Sequence, residues 1–182
     1  MSRITALDPV TTTGKSAELF TAVKGKLGMV PNLMRTLGHS PAALEAYLGF
    51  SATLGTGALP AKVREQIALA VAETNACDYC LAAHSLIGKG AGLTPDAILA
   101  ARRVSATEPK TDALLKFAAL VVEARGLVSD ETIAAVRAAG ATDAEIIETV
   151  AHVALNILTN YTNHIAQTVV DFPKAAALPV SA

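Results

Sequence analysis

Residues 60–84 read PAKVREQIALAVAETNACDYCLAAH. Val63, Ile67, Ala70, Val71 and Thr74 recur at steps of three and four, so one stripe runs along a helix over 60–74. Asn75 interrupts that pattern and is suited to cap a second helix over 76–89, which Gly88, Gly90 and Gly92 bring to an end. Cys77, Cys80 and His84 then stand at i, i+3 and i+7, which aligns them on one helix face. A helical hairpin would return Glu65, on the first helix, to the side of His84. The stretch therefore predicts two packed helices carrying two thiols, an imidazole and a carboxylate.

The same punctuation continues outward. Helical periodicity covers 15–26. Pro31 and Pro41 each fall where a first helical residue belongs, and Ser40 is placed to cap a helix over 41–54. Gly55, Gly57 and Pro60 break the chain. Thr94-Pro95-Asp96 opens a short helix to 103, and Pro109 leads into a helix through 125 that Gly126 stops. Ser129 caps a short helix ending at Gly140. Thr142 and Glu145 have capping-box spacing for a last long helix to about 170. No strand pattern emerges, so the expected class is all-α: a single-domain multi-helix bundle with the Cys-X-X-Cys at a helix N-terminus. Residues 1–14 read as an extended arm, 15–173 as the helical domain, and 174–182 as a loose Ala-rich tail.

Composition fits a helical chain. Of 182 residues, 52% are hydrophobic but only 4% aromatic, so the apolar content is mostly Ala, Leu, Val and Ile. Mean hydropathy is +0.41, yet no uninterrupted apolar run approaches the roughly 18 residues of a membrane span. The surplus apolar surface points to a subunit interface. A net charge of -1 gives no footprint for nucleic acid or an anionic membrane. The N-terminal residues lack the apolar core of a signal peptide, which predicts a cytoplasmic protein. Two cysteines in that compartment point to redox chemistry or metal binding rather than to a structural staple.

The thiolate is the reactive form of cysteine. Cys77 lies nearest the positive end of the second helix, while Cys80 has His84 one turn away to take its proton. This favours Cys80 as attacking thiol and Cys77 as the resolving one that condenses with a sulfenic acid on Cys80. The reverse order is common in other Cys-X-X-Cys enzymes. Glu65 would orient His84 and raise its basicity; otherwise it is a surface carboxylate paired with Arg64 or Lys62. Zinc is a competing reading, but a structural site wants four ligands, and His39, His152 and His164 are distant in sequence. A c-type haem would need His directly after the second Cys. A thioredoxin-like fold lacks its strands here, and a pair of buried core cysteines is the plainest alternative.

The last helix carries a polar stripe of His152, Asn156, Asn160 and Asn163. It reads as a hydrogen-bonded network between helices or subunits, or, in the sharper version, as His152 or Asn156 lining the active-site pocket. Tyr161 and His164 read as packing or interface residues. Arg102, Arg103 and Lys110 read as a solvated basic face. Gly88, Gly90 and Gly92 lack the strand and the Lys-Ser/Thr ending of a phosphate loop.

At these residues the chain resembles the alkylhydroperoxidase D-like, carboxymuconolactone decarboxylase superfamily, and within it the peroxidase-related branch. The resemblance covers about residues 15–173. It rests on Glu65, the twelve-residue step to Cys77, Cys80 and His84, with flanking support from Val30-Pro31-Asn32-Leu33-Met34 and Ala154-Leu155-Asn156-Ile157-Leu158-Thr159-Asn160-Tyr161. It implies an all-α fold and a trimer or hexamer. It also implies hydroperoxide reduction by the cysteine pair with Cys80 attacking, and a proton relay through Glu65 and His84. One departure is Tyr79, which stands between the cysteines where the best-studied peroxidases of the family carry a second His. Tyr79 can donate a hydrogen bond but is a poor base near neutral pH. Members that decarboxylate a muconolactone generally lack the cysteine pair.

The expected activity is thus a thiol-dependent hydroperoxide reductase, reset by an external dithiol or disulfide-reductase donor and requiring no bound cofactor. Two alternatives stay open. One is an acid–base lyase using Glu65 and His84 with incidental cysteines. The other is a non-enzymatic helical oligomer with a zinc or redox-sensing site.

Overall fold

The computed structural model describes residues 2–178. They form α1 (Gly14–Leu27), α2 (Asn32–Leu37), α3 (Pro41–Leu54), α4 (Ala61–Thr74), α5 (Asp78–Gly90), α6 (Pro95–Arg102), α7 (Pro109–Glu123), α8 (Asp130–Ala138) and α9 (Asp143–Ala166), with no strand among the described residues. The all-α bundle expected from the sequence is what folds.

α4 is the axis. It packs against α5, α6, α7 and α9. Its residues 66–72 are all buried, and Ile67, Leu69, Ala70, Val71 and Ala72 are completely so. A helix apolar on every side belongs in the centre of a bundle, and its alanines let neighbours approach closely. α9, the longest helix, packs across α4, α7 and α3.

Several helix starts follow the predicted chemistry. Ser40, Thr94, Ser129 and Thr142 each accept the backbone N–H three residues on. Thr142 and Glu145 complete a full capping box. Glu108 caps α7 by accepting from the N–H groups of Lys110 and Thr111, a role its sequence neighbourhood did not announce. Pro31 and Pro60 are N-caps, so their helices start one residue later than predicted, whereas Pro41, Pro95 and Pro109 stand at first turns.

Three differences have physical causes. The α4–α5 junction is longer than the sequence suggested. Asn75 is the C-cap of α4, Ala76 adopts a left-handed conformation (φ 52°), and Cys77, not Asn75, caps α5. α9 ends at Ala166 rather than near 170, because Gln167 turns left-handed (φ 50°) and its N–H returns to the Asn163 carbonyl. The freed segment folds back over α2, where the Val169 carbonyl accepts from the Asn32 side chain and Asp171 accepts from the Asn32 N–H at 2.7 Å. Finally, Arg102 is not on a solvated face. It is buried, pairs with Glu73 at 2.6 Å and donates to the carbonyl of Ala176, while Lys110 pairs with Glu145 at 2.8 Å.

Both ends of the described segment are held against the bundle. The N–H groups of Arg3 and Ile4 donate to the Ala166 carbonyl at 2.7 and 3.2 Å, so the arm finishes α9. The tail predicted to be loose is tethered by Arg102 as far as Ala176, with Ala175 against the core. Residues 179–182 of that tail lie outside the described residues.

Candidate active site

The α4–α5 hairpin builds the centre. The Cys77 N–H donates to the Ala72 carbonyl at 2.9 Å, which locks the turn. Cys77 has extended backbone angles (φ -96°, ψ 91°), and its sulfur accepts the Cys80 N–H at 3.4 Å, as an N-cap oxygen would. Cys80 sits in the first turn of α5. The two Cα atoms are 5.3 Å apart and the side chains are joined as a disulfide. Both cysteines are buried. Cys80 therefore lies where unpaired N–H groups favour a thiolate once the pair is reduced.

One turn further along α5, His84 Nδ1 lies 2.8 Å from Glu65 Oε2 on the facing helix α4. Both side chains are mostly enclosed, at 22% and 17% exposure, so the pairing is only partly screened by solvent. A carboxylate accepting from Nδ1–H fixes the tautomer and leaves Nε2 as the basic nitrogen. Arg64, an alternative partner for Glu65, donates instead to the Leu59 carbonyl at 2.7 Å.

His84 lies between two cavities. On one side is an apolar cavity of about 220 Å³, lined by Cys80 and His84 together with Leu33, Met34, Tyr47 and Phe172. On the other is a polar cavity of about 170 Å³, lined by Glu65, Arg64, His152 and Asn156, with His84 and Tyr47 shared between the two. Burial, and then the charge of Glu65, push the Tyr47 hydroxyl up to about 12, so it stays a hydrogen-bond donor near neutral pH. Burial, and then the nearby Arg64 cation, hold His152 below its ordinary value and keep it neutral. His152 Nε2 is buried without a hydrogen-bond partner.

The polar stripe of α9 divides its work. His152 and Asn156 line the polar cavity, and Asn156 donates to the His152 carbonyl. Asn160 accepts from Asn75 at 2.9 Å and so ties α9 to the α4–α5 turn. Asn163 donates to Cys80 Sγ at 3.3 Å. The stripe thus both ties helices together and lines a cavity, through different residues. The Asn163 contact was missed, although its spacing in the stripe was the available signal.

The sequence profile of the carboxymuconolactone decarboxylase family matches residues 41–124. That span runs from α3 through α7 and contains Glu65, Cys77, Cys80 and His84. No curated protein matches. Among solved structures, an alkylhydroperoxidase AhpD core protein from Ralstonia eutropha JMP134, described as peroxidase-related, superposes with a TM-score of 0.84 at 26% identity, covering 93% of this chain and 92% of that one. A peroxidase-related protein from Silicibacter sp. TM1040 follows with a TM-score of 0.78 at 24% identity, covering 92% of each chain. The debrominase Bmp8, solved with 2,3,4-tribromopyrrole, shares the fold with a TM-score of 0.79 at 18% identity, covering 94% of this chain and 92% of that one. The segment that carries the site thus matches the carboxymuconolactone decarboxylase profile, and the chain as a whole is similar in fold to the alkylhydroperoxidase D-like structures.

Of the two residues between the cysteines, Tyr79 is the more heavily bonded. The Tyr79 hydroxyl donates to Asp171 at 2.8 Å and accepts the Leu33 N–H at 3.0 Å, and its ring meets Phe172 edge-on at a centroid distance of 5.6 Å. Burial raises its pKa far above the usual phenol range, with Asp171 adding to the rise. Tyr79 thus joins α2, α5 and the returning 167–178 segment, and forms part of the apolar cavity wall. Nothing in the sequence marked Asp171 or Tyr47 as part of this surround. No cluster of three or more His, Cys, Asp or Glu side chains suited to a metal ion occurs among the described residues. No helix among them is long and apolar enough to cross a membrane.

Proposed function

We propose that this protein is a thiol-dependent hydroperoxide reductase. The observation that supports this most is that His84, held by Glu65, borders the same apolar cavity as Cys80. In the reduced protein, His84 takes the Cys80 proton, and the Cys80 thiolate attacks the terminal peroxide oxygen. The O–O bond breaks, the alkoxide leaves as an alcohol with the proton returned by His84, and Cys80 becomes a sulfenic acid. The Cys77 thiolate then attacks the Cys80 sulfur, water leaves, and the disulfide forms. An external dithiol resets the pair. Asn163 supports the anionic sulfur, and the apolar wall favours an organic over an inorganic peroxide.

The test is hydroperoxide consumption with dithiothreitol as donor. Cys80→Ser should abolish turnover and Cys77→Ser should stop it after a single oxidation. His84→Ala should lower kcat/KM by about 10²–10⁴-fold, the usual worth of a placed acid–base group. Activity that survives loss of both cysteines would transfer the reading to an acid–base lyase using Glu65 and His84.

The same reading includes a cytoplasmic homo-oligomer. Ile147, Val150, Leu158, Tyr161 and Ile165 form an exposed apolar stripe along the outer side of α9. A trimer or hexamer would cover it. Light scattering on Ile165→Lys should show a smaller species than the wild type.

A further inference from the structure

The two cysteines of the disulfide line different openings. Cys80 lines the apolar cavity and Cys77 does not. Cys77 lines a separate open groove of about 370 Å³, and Cys80 does not. That groove runs between the start of α5 and the end of α9, and includes Asp78, Asn163, His164 and Thr168. Its lining is half polar in character, unlike the wall around Cys80. Two groups in it are buried without a hydrogen-bond partner: the Asn163 Oδ1, on a residue only 4% exposed, and the Thr168 hydroxyl. Buried polar atoms of this kind are normally satisfied, so they mark a place where a polar visitor is accommodated.

We infer that the external dithiol reaches the disulfide through the Cys77 groove, opposite the cavity where peroxide meets Cys80, and that Cys77 is the sulfur it attacks. This rests on the peroxidase reading only in requiring a disulfide that must be reset. A donor thiolate attacks Cys77 Sγ. The Cys77–Cys80 bond breaks, and its electron pair leaves on Cys80 Sγ. The donor is then held in a mixed disulfide with Cys77. Its second thiolate attacks its own disulfide-bonded sulfur, closes the donor's disulfide and releases Cys77 as thiolate. The donor loses two electrons, the protein gains two, and the donor's two protons end on the cysteines.

Leaving-group chemistry points the same way as access. Exchange is faster when the departing thiolate is better stabilised. Cys80 Sγ holds the Asn163 amide at 3.3 Å, lies in the first turn of α5, and has His84 on the same cavity wall to protonate it. Asn163 thus lines the groove while its Nδ2 donates to the departing sulfur. Separate approaches also mean that an organic peroxide in the apolar cavity does not block the reductant.

The experiment uses the full chain oxidised with diamide, so that it does not depend on peroxide reactivity. Oxidised protein is mixed with excess glutathione, quenched with N-ethylmaleimide and digested, and the adducts are located by mass spectrometry. Glutathione on Cys77 with maleimide on Cys80 is expected, in excess of the reverse pattern by about tenfold or more. Glutathione on Cys80, on both equally, or on neither overturns the inference. A second arm uses two variants at exposed positions. His164→Trp, in the groove, should slow disulfide reduction by dithiothreitol several-fold and leave peroxide oxidation of the thiols unchanged. Leu86→Trp, at the apolar cavity, should do the opposite. Equal effects of both variants on both half-reactions would also overturn it. If peroxide leaves the thiols untouched while glutathione still lands on Cys77, the peroxidase reading fails and this one stands.

Discussion

Helix α4 buries residues 66–72 without a break, and all but Gln66 are apolar, whereas the buried side of α9 carries Thr149, His152, Asn156, Thr159, Asn160 and Asn163. These alternate with buried Ile146, Val153, Leu155 and Ala166, while the outer side of α9 exposes Ile147, Val150, Leu158 and Ile165. Both helices are central, so the difference is not one of position. α4 supplies burial, and burial is non-directional. α9 supplies hydrogen bonds, and those fix geometry: to Cys80, to the Asn75 turn and to the wall of the polar cavity. The arrangement has a cost. Three polar atoms of the stripe, on His152, Asn160 and Asn163, lack partners, and each such atom costs about 1–3 kcal/mol. Sites commonly break a packing rule where chemistry needs a polar group.

If α4 is the main structural support, truncating it should produce the largest loss. Leu69 is fully buried. Leu69→Ala should cost about 2–5 kcal/mol, read as a lower urea midpoint with an unchanged slope. A loss under about 1 kcal/mol would break the comparison, because α4 would then not carry the core. On α9 the corresponding change is smaller and different in kind. Asn160→Leu adds apolar volume but strands the Asn75 amide, at a cost of about 1–3 kcal/mol. Removing the stranded partner as well, in Asn75→Ala with Asn160→Leu, should recover part of that loss, so that the pair falls short of additivity by about 0.5 kcal/mol or more. A stabilised Asn160→Leu protein would mean that the stripe does not hold the α4–α5 turn.

The two regions also differ in how far the sequence revealed them. The α4–α5 hairpin was legible because its signals are local. The period of α4, the Cys-X-X-Cys and the step to His84 all lie within 25 residues, and the twelve-residue step from Glu65 closes in space as a helix pair must. Even there, the start of α5 shifted from Asn75 to Cys77, because a sulfur took the capping role usually held by an oxygen and Ala76 adopted a left-handed turn without a glycine to announce it. The site's remaining groups depend on packing between distant segments. Asn163 reaches Cys80 across 83 residues, and Asp171 reaches Tyr79 across 92. Arg102 looked solvent-facing because its charge neighbours in sequence are basic, and only the fold brings Glu73 and the Ala176 carbonyl to it.

The smallest expected effect is the one that tests whether the polar side of α9 is truly desolvated. Burial and Arg64 lower the His152 pKa from 6.5, so the folded protein resists protonating it while the unfolded chain does not. Between those two values the unfolded state binds more protons, and stability must fall as pH falls. His152 therefore contributes no penalty above about pH 6.5 and a growing one below it, with a slope bounded by about 1.4 kcal/mol per pH unit for one proton. Urea unfolding of the wild type and His152→Gln at pH 7.5, 6.5 and 5.5 isolates this, since contributions from the other histidines cancel in the difference. The wild type should lose stability faster than the variant across the lower interval. Parallel curves would show that His152 accepts its proton in the folded state, and the cavity it shares with Glu65 would then hold an ion pair. With the steeper wild-type curve, the buried Nε2 is a neutral acceptor facing the same cavity as the carboxylate that orients His84. α9 would then place the neutral imidazole of His152 beside the relay without adding charge to it.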